Sequence, residues 1–212
     1  MDTVTGGPAA PRPNPFAGRI ISNGDGPASV ANIANIITVV RILLTPLFFW
    51  MLLADNGANG TLRWVAAATF VIVIATDALD GYLARSRKLV SNVGIILDPI
   101  ADKALTGAAL IGLSILGELW WWVTIVILVR ELGITIFRFS VLRRRVIPAS
   151  RGGKAKTVAQ AVAISLFLFP LASVLGDWVL WVNWAAMAVA LALTVLSGLD
   201  YIWAAIKAYR LG

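Results

Sequence analysis

The chain has 212 residues, of which 59% are hydrophobic and 14% charged, with a net charge of +7. A water-soluble domain carries about a quarter charged residues, so lipid must face most of this chain. No cysteine or histidine is present, which excludes disulfide frameworks, thiol or imidazole metal sites, and Ser-His or Cys-His catalysis.

Residues 1–30 are rich in Pro, Gly, Asn and Ser, and read as a flexible cytoplasmic tail that cannot bury enough apolar surface to order itself. They lack the basic start and apolar core of a signal peptide. A short interfacial helix near residues 28–35 is compatible with the pattern. Residues 31–212 then read as one all-α membrane domain. A spanning helix needs about 20 apolar residues, and six such segments are expected, at about 36–54, 62–83, 94–117, 121–142, 156–176 and 179–206. The last is long enough for its end to emerge from the lipid.

Charge in the connections sets the expected orientation. Arg85, Arg87, Lys88, Arg143, Arg144, Arg145, Arg151, Lys154, Lys156, Lys207 and Arg210 collect on one side, whereas Arg63 falls on the other. Basic residues favour the cytoplasmic face, so both termini and the active site are expected there, in a multi-pass protein of the cell membrane. Trp64, Trp120, Trp121, Trp122, Trp178, Trp181 and Trp184 lie near the opposite ends, at the depth favoured by amphipathic rings. No basic stripe with interleaved aromatics occurs, so nucleic acid is not an expected partner. The basic runs suit topology and anionic lipid instead.

The stretch from Val71 to Leu105 carries the chemistry. Asp77 and Asp80 share one face of the second helix, and Asp98 and Asp102 share one face of the third. The connection between these helices is short, so they are expected to be antiparallel neighbours with the two pairs facing each other. A buried aspartate costs roughly 3 kcal/mol on insertion scales, and four on facing surfaces repel one another unless a cation lies between them. An all-oxygen donor set suits Mg²⁺, Mn²⁺ or Ca²⁺. Asp98, immediately before Pro99, reads equally as a helix N-cap. Gly81 and Gly94 leave bare backbone beside the carboxylates, where a bulky ligand could approach.

The set Asp77, Asp80, Gly81, Ala84, Arg85, Gly94, Asp98 and Asp102, at these spacings, resembles the signature of the CDP-alcohol phosphotransferase family. That resemblance implies a six-helix bundle, usually a homodimer, that transfers a substituted phosphate from a CDP-linked donor to an alcohol. It implies Asp77, Asp80 and Asp98 as ligands of Mg²⁺ or Mn²⁺, two ions in number. Asp102 would be the general base and a further contact to metal. Asp77, Asp80, Gly81, Ala84, Arg85 and Gly94 would frame the cytidine diphosphate.

Asn35, Thr38 and Arg41 in the first helix resemble the branch taking CDP-diacylglycerol as donor and glycerol 3-phosphate as acceptor. So do the Leu97–Lys103 stretch, Arg130-Glu131, and Gly153–Gln160. Arg130 and Arg138 point roughly the same way from the fourth helix, and Lys154 and Lys156 start the fifth. These four cations are the expected site for an acceptor phosphate. Glu131 is adjacent to Arg130, but successive helix residues diverge by about 100°, which argues against their pairing. Inositol phosphate and phosphatidylglycerol are alternative acceptors. A cation transporter is the reading from another class, since intramembrane carboxylates also mark ion paths. No internal repeat supports it.

Overall fold

The computed structural model describes the backbone of residues 33–87, 92–141 and 151–210, and the side chains of residues 38–76, 100–136 and 155–203. The 1–30 tail lies outside these residues. Among them every regular element is helical: α1 (Ile33–Asp55), α2 (Thr61–Arg87), α3 (Asn92–Ile115), α4 (Trp121–Val141), α5 (Arg151–Leu168), the single turn α6 (Ala172–Leu175) and α7 (Trp178–Arg210). The all-α expectation therefore holds. Thr38–Asp55 and Trp178–Trp203 are long and apolar enough to cross a membrane, while Thr61–Thr76 and Ala155–Leu168 are shorter apolar stretches. The surface supports membrane association: Leu43, Ile72, Val129, Ile136 and Trp181 are all exposed, a pattern water would penalise and lipid would not.

Two expectations need correction. The fifth segment does not run unbroken to residue 176; α5 stops at Leu168 and a separate turn follows. Pro170 has no N–H to give to a preceding carbonyl and cannot continue the ladder. Asp98 is not an N-cap, because α3 starts at Asn92 and runs through Asp98 and Pro99 without interruption.

Helix α1 organises the first half of the fold. Its buried face carries Thr38, Arg41, Thr45, Phe48, Leu52 and Asp55, spaced three or four apart as one helical stripe requires. Both α2 and α3 pack extensively along α1, whereas no comparable α2–α3 packing occurs among the described residues. Along the described residues α2 and α3 are thus set by a shared neighbour; the expected facing of the aspartate pairs falls on side chains, those of Asp77, Asp80 and Asp98, outside the described residues. Gly112 of α3 permits the closest approach: a Cβ there would meet Leu52 Cδ2 at 2.6 Å. In the second half, α7 packs along α5, and α5 also touches α2 and α3. Phe48, Phe70, Leu110, Ile127, Ile164 and Met187 join these helices in one apolar core.

Arg63 locks the end of the bundle where α2 begins. Its side chain is 1% exposed. Nε donates to the Leu168 carbonyl at 2.8 Å and Nη2 to the Phe167 carbonyl at 2.9 Å, so this arginine caps the last turn of α5. Nη2 also pairs with Glu118 in the α3–α4 connection. Asp55 nearby accepts from the backbone N–H groups of Asn59 and Gly60 and closes the α1–α2 turn. Burial pushes the Glu118 carboxyl above the usual glutamate value, outweighing the opposing pull of Arg63.

Removing one partner of a buried pair leaves the other charge stranded. Arg63→Ala is expected to cost about 2–3 kcal/mol, read as a lower melting temperature in detergent; an unchanged melting point would refute the capping role. Glu118→Gln is expected to behave differently. A carboxyl with a raised folded pKa favours the fold below its ordinary value, and that contribution is lost as pH rises through the raised value. The wild type should thus lose stability across that window, a slope that Glu118→Gln should lack. A variant that keeps the slope would show that another group titrates.

Candidate active site

The aspartates fall on two helices that share α1 as neighbour. Asp77 and Asp80 lie on α2, with Gly81, Ala84 and Arg85; Asp98 and Asp102 lie on α3, with Gly94. Of these, the side chain of Asp102 is described and is half-buried. The side chains of Asp77, Asp80, Ala84, Arg85 and Asp98, the surroundings of Gly81 and Gly94, and the side chains of Asn35, Arg138 and Lys154 lie outside the described residues.

Helical register places the polar half of α1 beside them. Two short connections through α2 make α1 and α3 run in the same direction, and Leu52 meets Gly112. Arg41 lies as far before Leu52 as Ala101 lies before Gly112, and Thr38 corresponds likewise to Asp98. With the same rise per residue in both helices, the buried Thr38 and Arg41 stand at the level of the α3 aspartates.

A cleft of about 580 Å³ opens between α3, α4 and α5, lined by Asp102 and Lys103, by Glu131 and Thr135, and by Lys156 and Gln160. Ile100, Ile111, Leu128 and Leu132 supply apolar wall. The polar members come from three helices, and the two lysines among them meet at Glu131. Lys103 Nζ donates to Glu131 Oε2 at 2.7 Å, and Arg130 Nη1 to Oε1 at 3.0 Å. Lys156 Nζ also pairs with Oε1. Glu131 is only 12% exposed, so in an apolar surrounding each of these contacts is worth far more than at a wet surface.

The pairing of Arg130 with Glu131 corrects the sequence expectation. Successive residues do diverge around the helix, but both side chains are long enough to curl back to a common point. Arg130 is further held from α7, where its Nη2 donates to Ser197 Oγ at 2.7 Å. Gly198 leaves room for it: a Cβ there would stand 3.3 Å from both Cγ and Nε of Arg130. Arg130 and Lys156 are thus brought together as expected, around a carboxylate.

Sequence reasoning did not assign Lys103, Glu131, Gln160 or Ser197 to the site. A signal existed for Glu131, an ionisable residue in the middle of an apolar helix. Gln160 follows Lys156 by one turn on the same face. Nothing in the sequence indicated Ser197, whose partner is distant in the chain.

The donor set can be tested against a metal on its chemistry. The chain offers carboxylates but no thiol or imidazole, which fits a hard divalent cation. Among the described residues no three such groups cluster; the side chains of Asp77, Asp80 and Asp98 fall outside them.

Comparison with known proteins follows the same lines. The family model described as CDP-alcohol phosphatidyltransferase matches residues 31–196. A "Probable phosphatidylglycerophosphate synthase" of Mycobacterium tuberculosis is 48% identical over 182 residues, covering 86% of this chain and 85% of that protein. A "CDP-diacylglycerol--glycerol-3-phosphate 3-phosphatidyltransferase" of Bacillus subtilis is 37% identical over 195 residues, covering 83% and 97%. A protein of the same name from Rickettsia felis is 32% identical over 178 residues, covering 80% and 93%. Family members use divalent metal ions, in keeping with an all-carboxylate donor set. With its aspartates spaced on two helices beside α1 and a family match across most of its length, this chain belongs to the CDP-alcohol phosphatidyltransferase family.

Proposed function

We propose that the protein transfers the phosphatidyl group of CDP-diacylglycerol to glycerol 3-phosphate, releasing CMP and phosphatidylglycerophosphate. The observation that carries this reading is the convergence of Lys103, Arg130 and Lys156 around Glu131 at a cleft that Asp102 also lines. Cations gathered beside a candidate base suit an alcohol that is itself phosphorylated. The names of relatives at 37–48% identity point to the same acceptor.

In this reading Asp77, Asp80, Asp98 and Asp102 hold divalent metal, Mg²⁺ or Mn²⁺ and two ions in number. The metal, when bound, would neutralise the donor pyrophosphate and the CMP leaving group. Gly81, Ala84, Arg85 and Gly94 frame the cytidine diphosphate. Thr38 and Arg41 add polar and positive groups at the same level of the bundle, with Asn35 one turn further along α1. Lys156, with Arg130, Arg138 and Lys154, holds the acceptor phosphate. Asp102 takes the proton of the free primary hydroxyl as its oxygen attacks the phosphorus bearing the diacylglycerol. A P–O bond forms there, and the P–O bond to the CMP phosphate breaks.

The same reading places six crossings in the cell membrane, with both termini and the cleft on the cytoplasmic side, in a homodimer. The one-sided distribution of basic residues supports that orientation. It also lets a water-soluble acceptor reach a lipid donor.

Purified protein supplied with CDP-diacylglycerol, Mg²⁺ or Mn²⁺ and a panel of alcohols is expected to release CMP with glycerol 3-phosphate. The panel should include inositol phosphate and phosphatidylglycerol; product from another alcohol alone would overturn the acceptor assignment. Asp102→Asn is expected to lower turnover by at least about 100-fold while CDP-diacylglycerol still binds. Retained turnover would remove Asp102 from the role of base.

A further inference from the structure

We propose that Glu131 is the positioning residue of the acceptor site, drawing Lys103 and Lys156 from facing helices to one point for the acceptor phosphate. The proposal deepens the reading above and rests on it. It also divides the cations differently: Lys103 joins Lys156 as a direct contact, and Arg130 becomes the anchor of Glu131.

Three observations separate these roles. Lys103, Glu131 and Lys156 all line the cleft, whereas Arg130 is absent from its wall. Arg130 is instead tied back to α7 by Ser197 and seated over Gly198, so its guanidinium fixes Glu131 from behind. Helices α4 and α5 make little direct contact among the described residues, and the Glu131–Lys156 pair spans the gap between them. Without that carboxylate the two ammonium groups would repel each other and separate.

The charge balance favours an anion. Three cations surround Glu131; with Asp102 in the same cleft counted as the second carboxylate, one positive charge is left over, and a phosphomonoester, at about −1.5 to −2 at neutral pH, has the sign to meet it. Each lysine ammonium has three donors and, among the described residues, gives one to Glu131. Gln160 adds a further donor at the same place: it lines the cleft, and its buried Nε2 has no partner among the described residues. A buried amide left unpaired is costly, and a phosphate oxygen in the cleft would satisfy it.

The test uses the full-length protein in lipid with metal and both substrates. Glu131→Gln removes the charge and keeps the shape. It is expected to raise KM for glycerol 3-phosphate about tenfold or more, leaving KM for CDP-diacylglycerol unchanged. Glu131→Asp, which keeps the charge, is expected to recover part of the loss, and Ser197→Ala to shift KM in the same direction by less. In a measurement independent of turnover, inorganic phosphate is expected to raise the melting temperature of the wild type more than that of Glu131→Gln.

An unchanged or lowered KM in Glu131→Gln would overturn the proposal, showing that the carboxylate merely competes with the acceptor. Equal losses towards both substrates, with no recovery in Glu131→Asp, would overturn it in favour of a purely structural ion cluster. Should Glu131→Gln fail to fold, Glu131→Asp and Ser197→Ala decide by the same KM comparison. The wild-type arm judges the acceptor assignment separately. If it uses another phosphorylated alcohol, that reading falls, while the KM ratios and the phosphate-induced stabilisation still decide the role of Glu131.

Discussion

An apolar bundle has no water inside with which to solvate a charge, so each ionised side chain among its helices must find its partner in the chain itself. Among the described residues two such clusters involve helix α5. At one end its last carbonyls are held by Arg63, which also pairs with Glu118. Towards the other end Lys156 reaches Glu131. The apolar core around Phe70, Ile127 and Ile164 lies between. The position of α5 decides the width of the cleft, so both clusters act on the site even though Arg63 is nowhere near it.

The two clusters are built differently. Arg63 has one carboxylate, two carbonyls and almost no exposure, the pattern of a charge used to close a helix end. Glu131 has more cations than it can neutralise and faces an open cleft. Buried ion pairs contribute little to stability beyond the desolvation they incur. An excess of buried positive charge contributes still less, unless a further anion completes it. That imbalance, more than burial itself, is what the proposed acceptor site rests on.

Much of this was legible in the amino-acid sequence because apolar runs and carboxylate spacing are local signals. The i, i+3 and i, i+4 intervals placed Asp77 with Asp80 and Asp98 with Asp102, and α2 and α3 do carry them as continuous helix. The length of α7 was visible in the same way. What was not legible depended on three dimensions. An apolar composition continuing past Pro170 hid the end of α5, though the proline itself was in view. The angular divergence of Arg130 and Glu131 describes their Cβ atoms, whereas the pairing is made by flexible ends several bonds away. Lys103 looked like part of a motif until its partner on α4 was seen, and Ser197 had no local signal. The role of α1 as the shared neighbour of α2 and α3 could not come from loop lengths, which say which helices are consecutive but not which ones touch.

The geometry also bears on why one cleft could serve two dissimilar substrates. Its wall is apolar along Ile111, Leu128 and Leu132, and its charged members gather about Glu131 and Asp102. Under the proposed function the acyl chains of a lipid-linked donor would favour the first environment and a small phosphorylated alcohol the second. Electrostatics reinforces that order. In a low-dielectric wall the charge of Lys103 and Lys156 is poorly screened, and under the proposed function it would draw an anionic acceptor into the cleft. An uncharged alcohol would gain nothing from that field and would leave the Gln160 amide unsatisfied. Acceptor discrimination would then come from the charges left unpaired when the wrong alcohol binds, which is a larger penalty than any loss of fit.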